Sequence, residues 1–160
     1  MSDPITLYMA CRIKIISGGQ TGVDRAALDF AIENNLDHGG YCPKGRKAED
    51  GKIPDTYNLT ETSSSDYRVR TEKNLTESDG TLIINYGQLT GGTKLTYNLC
   101  RKKSIPVYVA DTRVKEDILR LQFKDWLKEN NIEVLNVAGP REKKISSKFD
   151  PMEALYCLFS

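Results

Sequence analysis

The chain is organised around residues 12–32, which read Arg12-Ile-Lys-Ile-Ile-Ser17-Gly-Gly-Gln-Thr21-Gly-Val-Asp24-Arg25-Ala-Ala-Leu-Asp-Phe30-Ala-Ile32. The apolar run Ile13–Ile16 has the length and composition of a buried strand. A glycine-rich turn at 18–22 follows it, and an apolar helical stripe then runs from Val23 to Ala31. The pattern predicts a strand, a tight glycine loop and a helix.

We expect the loop 18–22 to bind an anion, because a helix that starts behind a glycine turn presents free N–H groups and the positive end of its dipole. Thr21 and Asp24 resemble a capping box, with Asp in place of Glu. The loop has neither the Gly-Lys-Ser/Thr of a P-loop nor the G-x-G-x-x-G spacing. The alternative is a turn that only lets strand and helix pack closely. Four hydrogen-bonding side chains in the turn favour binding, and the candidates are Gly18, Gly19, Gln20, Thr21, Gly22, Asp24 and Arg25.

A second stretch repeats this order of elements. Gly80–Asn85 is an apolar strand, Tyr86–Thr93 is rich in glycine, and a helix is predicted from about Thr93 to Lys103. The anion-site candidates here are Gly91, Gly92 and Thr93.

Strands alternate with helices along the chain, which predicts an α/β fold with a mostly parallel sheet and helices on both faces. If the strand order is 3-2-1-4-5-6, the first strand lies beside the fourth, Gly80–Asn85, at the topological switch point. Both glycine loops then lie at one crevice. The six predicted strands are Ile13–Ile16, Gly39–Cys42, Tyr57–Thr62, Gly80–Asn85, Pro106–Val109 and Ile132–Val137.

Basic residues follow two of these strands. Lys44 and Arg46 come after the second strand, and Arg141 comes after the last one. Ligands of open α/β sheets bind at the carboxyl ends of strands, so these three cations are candidates to meet an anion. For the loop that carries Lys44 and Arg46, a solvated surface is the alternative.

The predicted helix from Ser63–Ser65 to about Glu77 has an unusual face. Its best-populated row at helical spacing is mostly polar, whereas a helix that only packs on a sheet shows an apolar row. Either the helix is exposed, or this face lines a site to which Arg70 and Asn74 contribute. The row consists of Tyr67, Arg70, Thr71 and Asn74.

Two further helices are predicted, and the first is interpreted as scaffold. Asp111 and Thr112 are predicted to cap this long helix, which has two apolar rows: Val114, Ile118 and Leu121, and Leu119, Phe123, Trp126 and Leu127. Asp150-Pro151 is a typical helix start, with Pro at the first helical position. The helix that follows is expected to dock through Met152, Leu155, Tyr156 and Phe159.

Composition narrows the class of protein. At 160 residues we expect one domain, 1–160, with a loose lead-in at 1–11. The net charge of +1 does not favour nucleic acid or membrane, and the sequence has no bilayer-length apolar run and no signal pattern. Four dispersed cysteines and a single histidine argue against a zinc site and favour free thiols in the cytoplasm. Cys42 is either a buried thiol or a group near a metal.

Several motifs, in order, resemble the putative molybdenum carrier family. They span about residues 12–142 and are Ser17-Gly-Gly-Gln-Thr-Gly-Val-Asp-Arg-Ala-Ala27, Cys42-Pro-Lys-Gly-Arg46, Ala48-Glu-Asp-Gly51, Arg70-Thr71 with Asn74, Ser78-Asp-Gly-Thr-Leu82, Leu89-Thr-Gly-Gly-Thr93 and Asn136-Val-Ala-Gly-Pro-Arg-Glu142. The resemblance implies a three-layer Rossmann-like domain that binds molybdenum cofactor, a pterin with a phosphate tail and a dithiolene-held oxo-metal. It implies a small phosphorylated ligand and molybdoenzymes that receive the cofactor. We also expect a homo-oligomer.

The family resembles in fold the Lonely Guy phosphoribohydrolases, also called lysine-decarboxylase-like. Those enzymes carry Gly-Gly-x-Gly-Thr followed by a glutamate, whereas residues 91–96 here read Gly-Gly-Thr-Lys-Leu-Thr. The expected carboxylate is therefore absent, which favours a carrier over an enzyme. The alternatives that stay open are a nucleotide-processing enzyme that uses Asp24, Glu49 or Asp50, and a nucleotide sensor. After Glu142 the chain reads Lys-Lys-Ile-Ser-Ser, which departs from the family's Ser-Lys-x-Pro-Gly.

Overall fold

The computed structural model describes residues 13–145 and 147–160, so the lead-in predicted at 1–11 lies outside the described residues. The strands are β1 (Lys14–Ile16), β2 (His38–Gly39), β3 (Tyr41–Cys42), β4 (Lys47–Ala48), β5 (Gly51–Lys52), β6 (Thr60–Glu61), β7 (Gly80–Asn85), β8 (Val107–Asp111) and β9 (Val134–Ala138). The helices are α1 (Val23–Glu33), α2 (Tyr67–Thr76), α3 (Gly91–Lys102), α4 (Glu116–Glu129), α5 (Glu142–Ile145) and α6 (Pro151–Phe159).

The central sheet has five strands in the order β2-β1-β9-β7-β8, and every neighbouring pair is parallel. All six residues of β7 are buried, as expected for a strand covered on both faces. The predicted α/β fold with a parallel sheet is confirmed.

The first and fourth predicted strands were expected to be adjacent in the sheet. This prediction is wrong, because β9 lies between β1 and β7. If β9 is numbered 1, β1 is numbered 2, β2 is numbered 3, β7 is numbered 4 and β8 is numbered 5, the strand order across the sheet is 3-2-1-4-5. The last strand in sequence therefore takes the place that the first strand holds in the expected order. The switch point lies between β9 and β7, so the loop after β9 stands between the two glycine loops.

Helices cover both faces of the sheet in a three-layer arrangement. The larger core packs α1, α4 and α6 against one face, and it includes the predicted stripe residues Val23, Ala27 and Phe30. A smaller core between α2 and α3 on the other face is built on Leu75, Leu99 and other residues. None of the helices among the described residues is both long enough and apolar enough to span a bilayer.

The second and third predicted strands differ from the structure. The run 39–42 is divided, because β2 joins the central sheet whereas β3 pairs with β6 in a separate two-stranded sheet. The weak strand predicted at 57–62 is reduced to β6. A small core of Cys42, Ala48 and Ile53 stabilises the segment that contains β3 to β6. Cys42 is a fully buried free thiol.

Two helix starts differ from the prediction, and a third agrees with it. Helix α2 is capped by Asp66, whose side chain accepts from Arg68 N, and not by Ser63–Ser65. Helix α4 starts at Glu116, because the Asp111 carboxylate accepts from Gly87 N and Arg113 and is not available as a helix cap. The predicted cap of α6 is confirmed, since the Asp150 side chain accepts from two backbone N–H groups of its first turn.

The apolar row predicted for the long helix does not pack on the sheet. Val114 precedes the helix, and Ile118 and Leu121 point away from the core, with Leu121 63% exposed. The core contacts of α4 come from the other predicted row, Leu119, Phe123 and Leu127.

Candidate functional site

A crevice of about 240 Å³ opens at the carboxyl ends of the central strands. Three loops and one helix form it: the glycine loop after β1, the start of α3 after β7, the loop after β9, and the polar face of α2. The two glycine loops therefore line the same crevice, with the loop after β9 between them. Its lining residues come from positions 20, 24, 67, 68, 70, 71, 92, 93, 95, 96, 138–141 and 144.

The charge of the crevice is strongly positive. Arg68, Arg70, Arg141 and Lys144 line it, and Asp24 is the only carboxylate among the described lining residues. Arginine in particular offers a planar fork of donors that matches the oxygens of phosphate. The arrangement is suited to an anion.

The start of α3 adds backbone donors to this wall. Gly92 and Thr93 belong to its first turn, where N–H groups lack partners within the helix. The preceding Thr90 makes no side-chain cap. A Cβ atom at Gly92 would meet no atom within 4 Å, so the backbone is open toward the cavity. This terminus fits the helix–anion arrangement expected for residues 91–93.

Arg70 links α2 to the first glycine loop. Its Nη1 lies 3.4 Å from Oδ2 of Asp24, and its side chain is 14% exposed. The guanidinium covers Gly18 so closely that a Cβ atom there would overlap it. The buried Nε of Arg70 has no hydrogen-bond partner among the described residues. The polar face of α2 thus lines the crevice, as one of the two sequence hypotheses stated.

Asp24 carries an unusual ionisation. Burial raises the pKa of Asp24 to about 6, although the charge of Arg70 acts in the opposite direction. The carboxyl is 5% exposed and lines the crevice. It therefore takes up a proton under mildly acidic conditions.

The first glycine loop is held by its own side chains. The Arg25 guanidinium donates to Gly19 O and forms an ion pair with Asp50 at 2.8 Å. Oε1 of Gln20 accepts from the N–H groups of Thr21 and Glu49. Arg25 therefore shapes the loop and does not line the crevice.

Gly22 joins this loop to the loop after β9. Its φ is +83°, and a Cβ atom would overlap the backbone of residues 140–142. The N–H of Val23 donates to Pro140 O at 3.2 Å. The Thr21 hydroxyl donates to the Glu49 carboxylate and accepts from Glu142 N, so it does not cap α1 as predicted. These contacts fix the two loops against each other.

The basic loop after β3 does not reach the crevice. Arg46 donates to four backbone carbonyls, those of Ile53, Pro54, Tyr57 and Leu59. Its guanidinium therefore organises the connection that follows it. Lys44 is exposed and lies outside the crevice lining.

Asn74 also has a structural role. Its amide oxygen accepts from Tyr41 N and its amide nitrogen donates to Tyr41 O, at 2.8 and 2.9 Å. Both ends of the side chain are thus used to hold β3 against α2. Gly18, Gly19, Thr21, Gly22 and Gly91 lie in the loops that form the crevice, without lining it.

Sequence reasoning missed Arg68, Thr96 and Lys144, which line the crevice. Arg68 is on α2 but does not belong to the polar row that was identified by helical spacing. Thr96 is one turn beyond Gly92, to whose carbonyl its hydroxyl donates. Lys144 falls where the chain departs from the family pattern, and a basic pair directly after a strand-end loop was the available signal.

The fold and crevice define a Rossmann-like α/β protein with a cationic cleft at the switch point. Residues 15–152 match the circularly permutated YpsA SLOG family, and the chain belongs to this family. The permuted description agrees with a sheet whose order becomes 3-2-1-4-5 only when counted from β9.

The chain is also similar to a solved structure. A putative molybdenum carrier protein from Syntrophus aciditrophicus SB is 44% identical over 94% of this chain and 97% of that chain, with a TM-score of 0.88. The family-level resemblance to molybdenum carriers, inferred from the motifs, is confirmed. No curated protein matches the chain.

Proposed function

We propose that this protein is a carrier that binds molybdenum cofactor, or a related phosphorylated anion, in the crevice. The observation that supports this most is the meeting of four cationic side chains with the open start of α3 around one cavity. The name of the similar Syntrophus protein supports molybdenum as the cargo.

The residues present fit the phosphate end of such a cofactor. Gly92 and Thr93 would offer N–H groups to it, and Arg141 and Lys144 would supply positive charge. The buried Nε of Arg70 has no hydrogen-bond partner in the described part of the chain. A buried donor left in this state costs free energy, and a bound anion would recover it only if the Arg70 side chain shifts to expose Nε.

The metal would have to arrive with its own organic ligand. Within residues 13–145 and 147–160, no group of three or more His, Cys, Asp or Glu could hold a metal ion. In molybdenum cofactor the dithiolene already holds the metal, and the cofactor supplies redox chemistry to the enzyme that receives it. The chain's own residues would bind the phosphate, orient the pterin and release both to a molybdoenzyme. We expect a homo-oligomer.

Asp24 favours a second candidate function, a nucleotide-processing enzyme. A buried carboxyl with a pKa of about 6 can exchange a proton near neutral pH. Of the three carboxylates considered from sequence, Asp24 alone lines the crevice, since Asp50 pairs with Arg25 and Glu49 with Thr21. The α3 residues that line the crevice, Gly92, Thr93, Leu95 and Thr96, include no acid, which favours the carrier.

A melting screen with product analysis separates the two candidates. The ligands are inorganic phosphate, molybdate, nucleoside monophosphates and molybdenum cofactor. A ligand present at 100 times its dissociation constant stabilises by about 2.7 kcal/mol, a melting shift of roughly 5 to 10 °C for this length. A shift without turnover supports the carrier, and steady release of base from a nucleotide supports the enzyme. No shift with any of these ligands contradicts both.

Gly92→Asp tests whether the crevice is the binding site. The surrounding space is open, so the fold should tolerate the side chain, while its charge repels an anion. We expect the ligand-induced shift to disappear. Gly92→Asn, with nearly the same shape and no charge, should retain part of it. Equal shifts in both variants and the wild type would place the ligand elsewhere.

A further inference from the structure

Glu49 connects two walls of the crevice without lining it. It lies in the turn between β4 and β5, and its Oε1 accepts from the Thr21 hydroxyl and from Lys143 N at 3.4 Å. Its own N–H donates to Gln20 Oε1 at 2.9 Å. One residue thus contacts both the loop after β1 and the loop after β9.

The second carboxylate oxygen faces a cation of the crevice. Oε2 of Glu49 lies 3.4 Å from Nε of Arg141, whose side chain is 47% exposed. That oxygen is buried and has no hydrogen-bond partner among residues 13–145 and 147–160. Buried polar atoms without a hydrogen bond are rare in native proteins and call for an explanation. Orientation of Arg141 is such an explanation.

The ionisation of Glu49 agrees with this role. The hydrogen bond from Thr21 lowers the pKa of Glu49, and the charges of Arg141 and Lys143 act in the same direction. The side chain is 10% exposed and is turned toward the loops. A carboxylate held in this way is charged at neutral pH and is suited to fix a cation.

We infer that Glu49 is a positioning residue, which clamps the loop after β1 to the loop after β9 and so holds Arg141 at the crevice wall. The inference rests on the proposed function, because it assumes that the crevice binds an anion. In this role Glu49 is not a candidate catalytic carboxylate, because it affects the ligand only through Arg141.

A double-mutant cycle with inorganic phosphate as the probe tests the coupling. Glu49→Gln keeps the shape of the side chain and removes its charge, so affinity should fall by roughly two- to 150-fold, the range for residues in contact. In the Arg141→Ala background the same change should have less than about a twofold effect. Asp55→Asn is the matched control, because that exposed carboxylate pairs with Arg46 and Lys52 outside the crevice. Its affinity should equal that of the wild type.

Hydrogen exchange supplies a measurement that needs no ligand. Glu49→Ala removes the acceptor of Lys143 N and the partner of Thr21, which in turn accepts from Glu142 N. The amides of residues 142 and 143 should exchange faster in this variant and stay unchanged in Asp55→Ala. Melting curves confirm that each variant is folded.

The outcomes distinguish the two proposals. If wild-type protein does not bind phosphate but Glu49→Ala accelerates exchange at 142 and 143, the clamp holds and the proposed anion site fails. If phosphate binds and Glu49→Gln binds it equally well, or its effect adds fully to that of Arg141→Ala, the positioning inference is overturned. Unchanged exchange in Glu49→Ala also overturns it.

Discussion

Arg70 Nη1 lies 3.4 Å from Oδ2 of Asp24, so one cation of the crevice is paired with the only carboxylate among its described lining residues. The pair joins α2 to α1 across Gly18. An arriving anion would compete with Asp24 for the same guanidinium. Protonation of Asp24 would release Arg70 to the ligand.

Arg70→Ala should weaken anion binding. Loss of a hydrogen bond to a charged group costs about 1.5 to 3 kcal/mol, which is roughly ten- to a hundredfold in affinity. Titration calorimetry with a phosphorylated ligand measures the change. Lys73→Ala is the control, since Lys73 is on the same helix but pairs with exposed Glu77 outside the crevice. Equal affinities for wild type and Arg70→Ala would show that this face of α2 has a purely structural role.

Asp24→Asn should change how stability depends on pH. Because burial raises the pKa of Asp24 from 3.8 to about 6, its contribution to stability is complete below about pH 3.8 and is lost as the pH rises through about 6. This displacement corresponds to about 3 kcal/mol. The neutral Asn lacks the ionisation, so the variant should gain stability relative to the wild type between pH 4 and 7. Urea unfolding across that range measures it, and parallel curves would contradict the raised pKa.

Gly22→Ala should destabilise the fold, because Gly22 has a φ of +83° and its Cβ position overlaps the backbone of residues 140–142. Strain of this kind costs about 1 to 3 kcal/mol before any clash is added. Gly92→Ala is the comparison, since its Cβ would have open space and its φ is not in the left-handed region. Chemical denaturation should separate the two variants clearly. A loss as small as that of Gly92→Ala would show that the two loops can move apart at little cost.

Arg46→Met should reduce stability without affecting ligand affinity. The substitution removes the donor of three partly buried backbone carbonyls and of the exposed Pro54 carbonyl. An unsatisfied buried polar group costs about 1 to 3 kcal/mol, and water offsets part of that cost where the carbonyl is exposed. Lys44→Met, at an exposed position in the same loop, should leave both quantities near wild-type values. A tenfold loss of affinity in Arg46→Met, with the fold intact, would bring this basic loop back into the binding site.

Elements whose signals are local could be predicted from the amino-acid sequence alone. The stripe of α1, the buried strand β7 and the Asp150 cap of α6 follow from spacing and residue type, because neighbouring residues in the chain decide them. The ordered motifs also determined the family. The mostly polar face of α2 indicated that this helix lines something other than a core.

Which of the cationic side chains lie together at the crevice depends on the tertiary structure. Lys44 and Arg46 follow a strand, as Arg141 does. However, their strand, β3, pairs with β6 outside the central sheet, and Arg46 donates to backbone carbonyls. The insertion of β9 between β1 and β7 brought Lys144 to the crevice beside Gly92. Strand order depends on pairing between residues more than 50 positions apart, such as Gly80 with Leu135, and on what covers each face. Such pairing produces no periodic pattern in the sequence. The strands themselves could therefore be predicted, but not which strands are neighbours in the sheet.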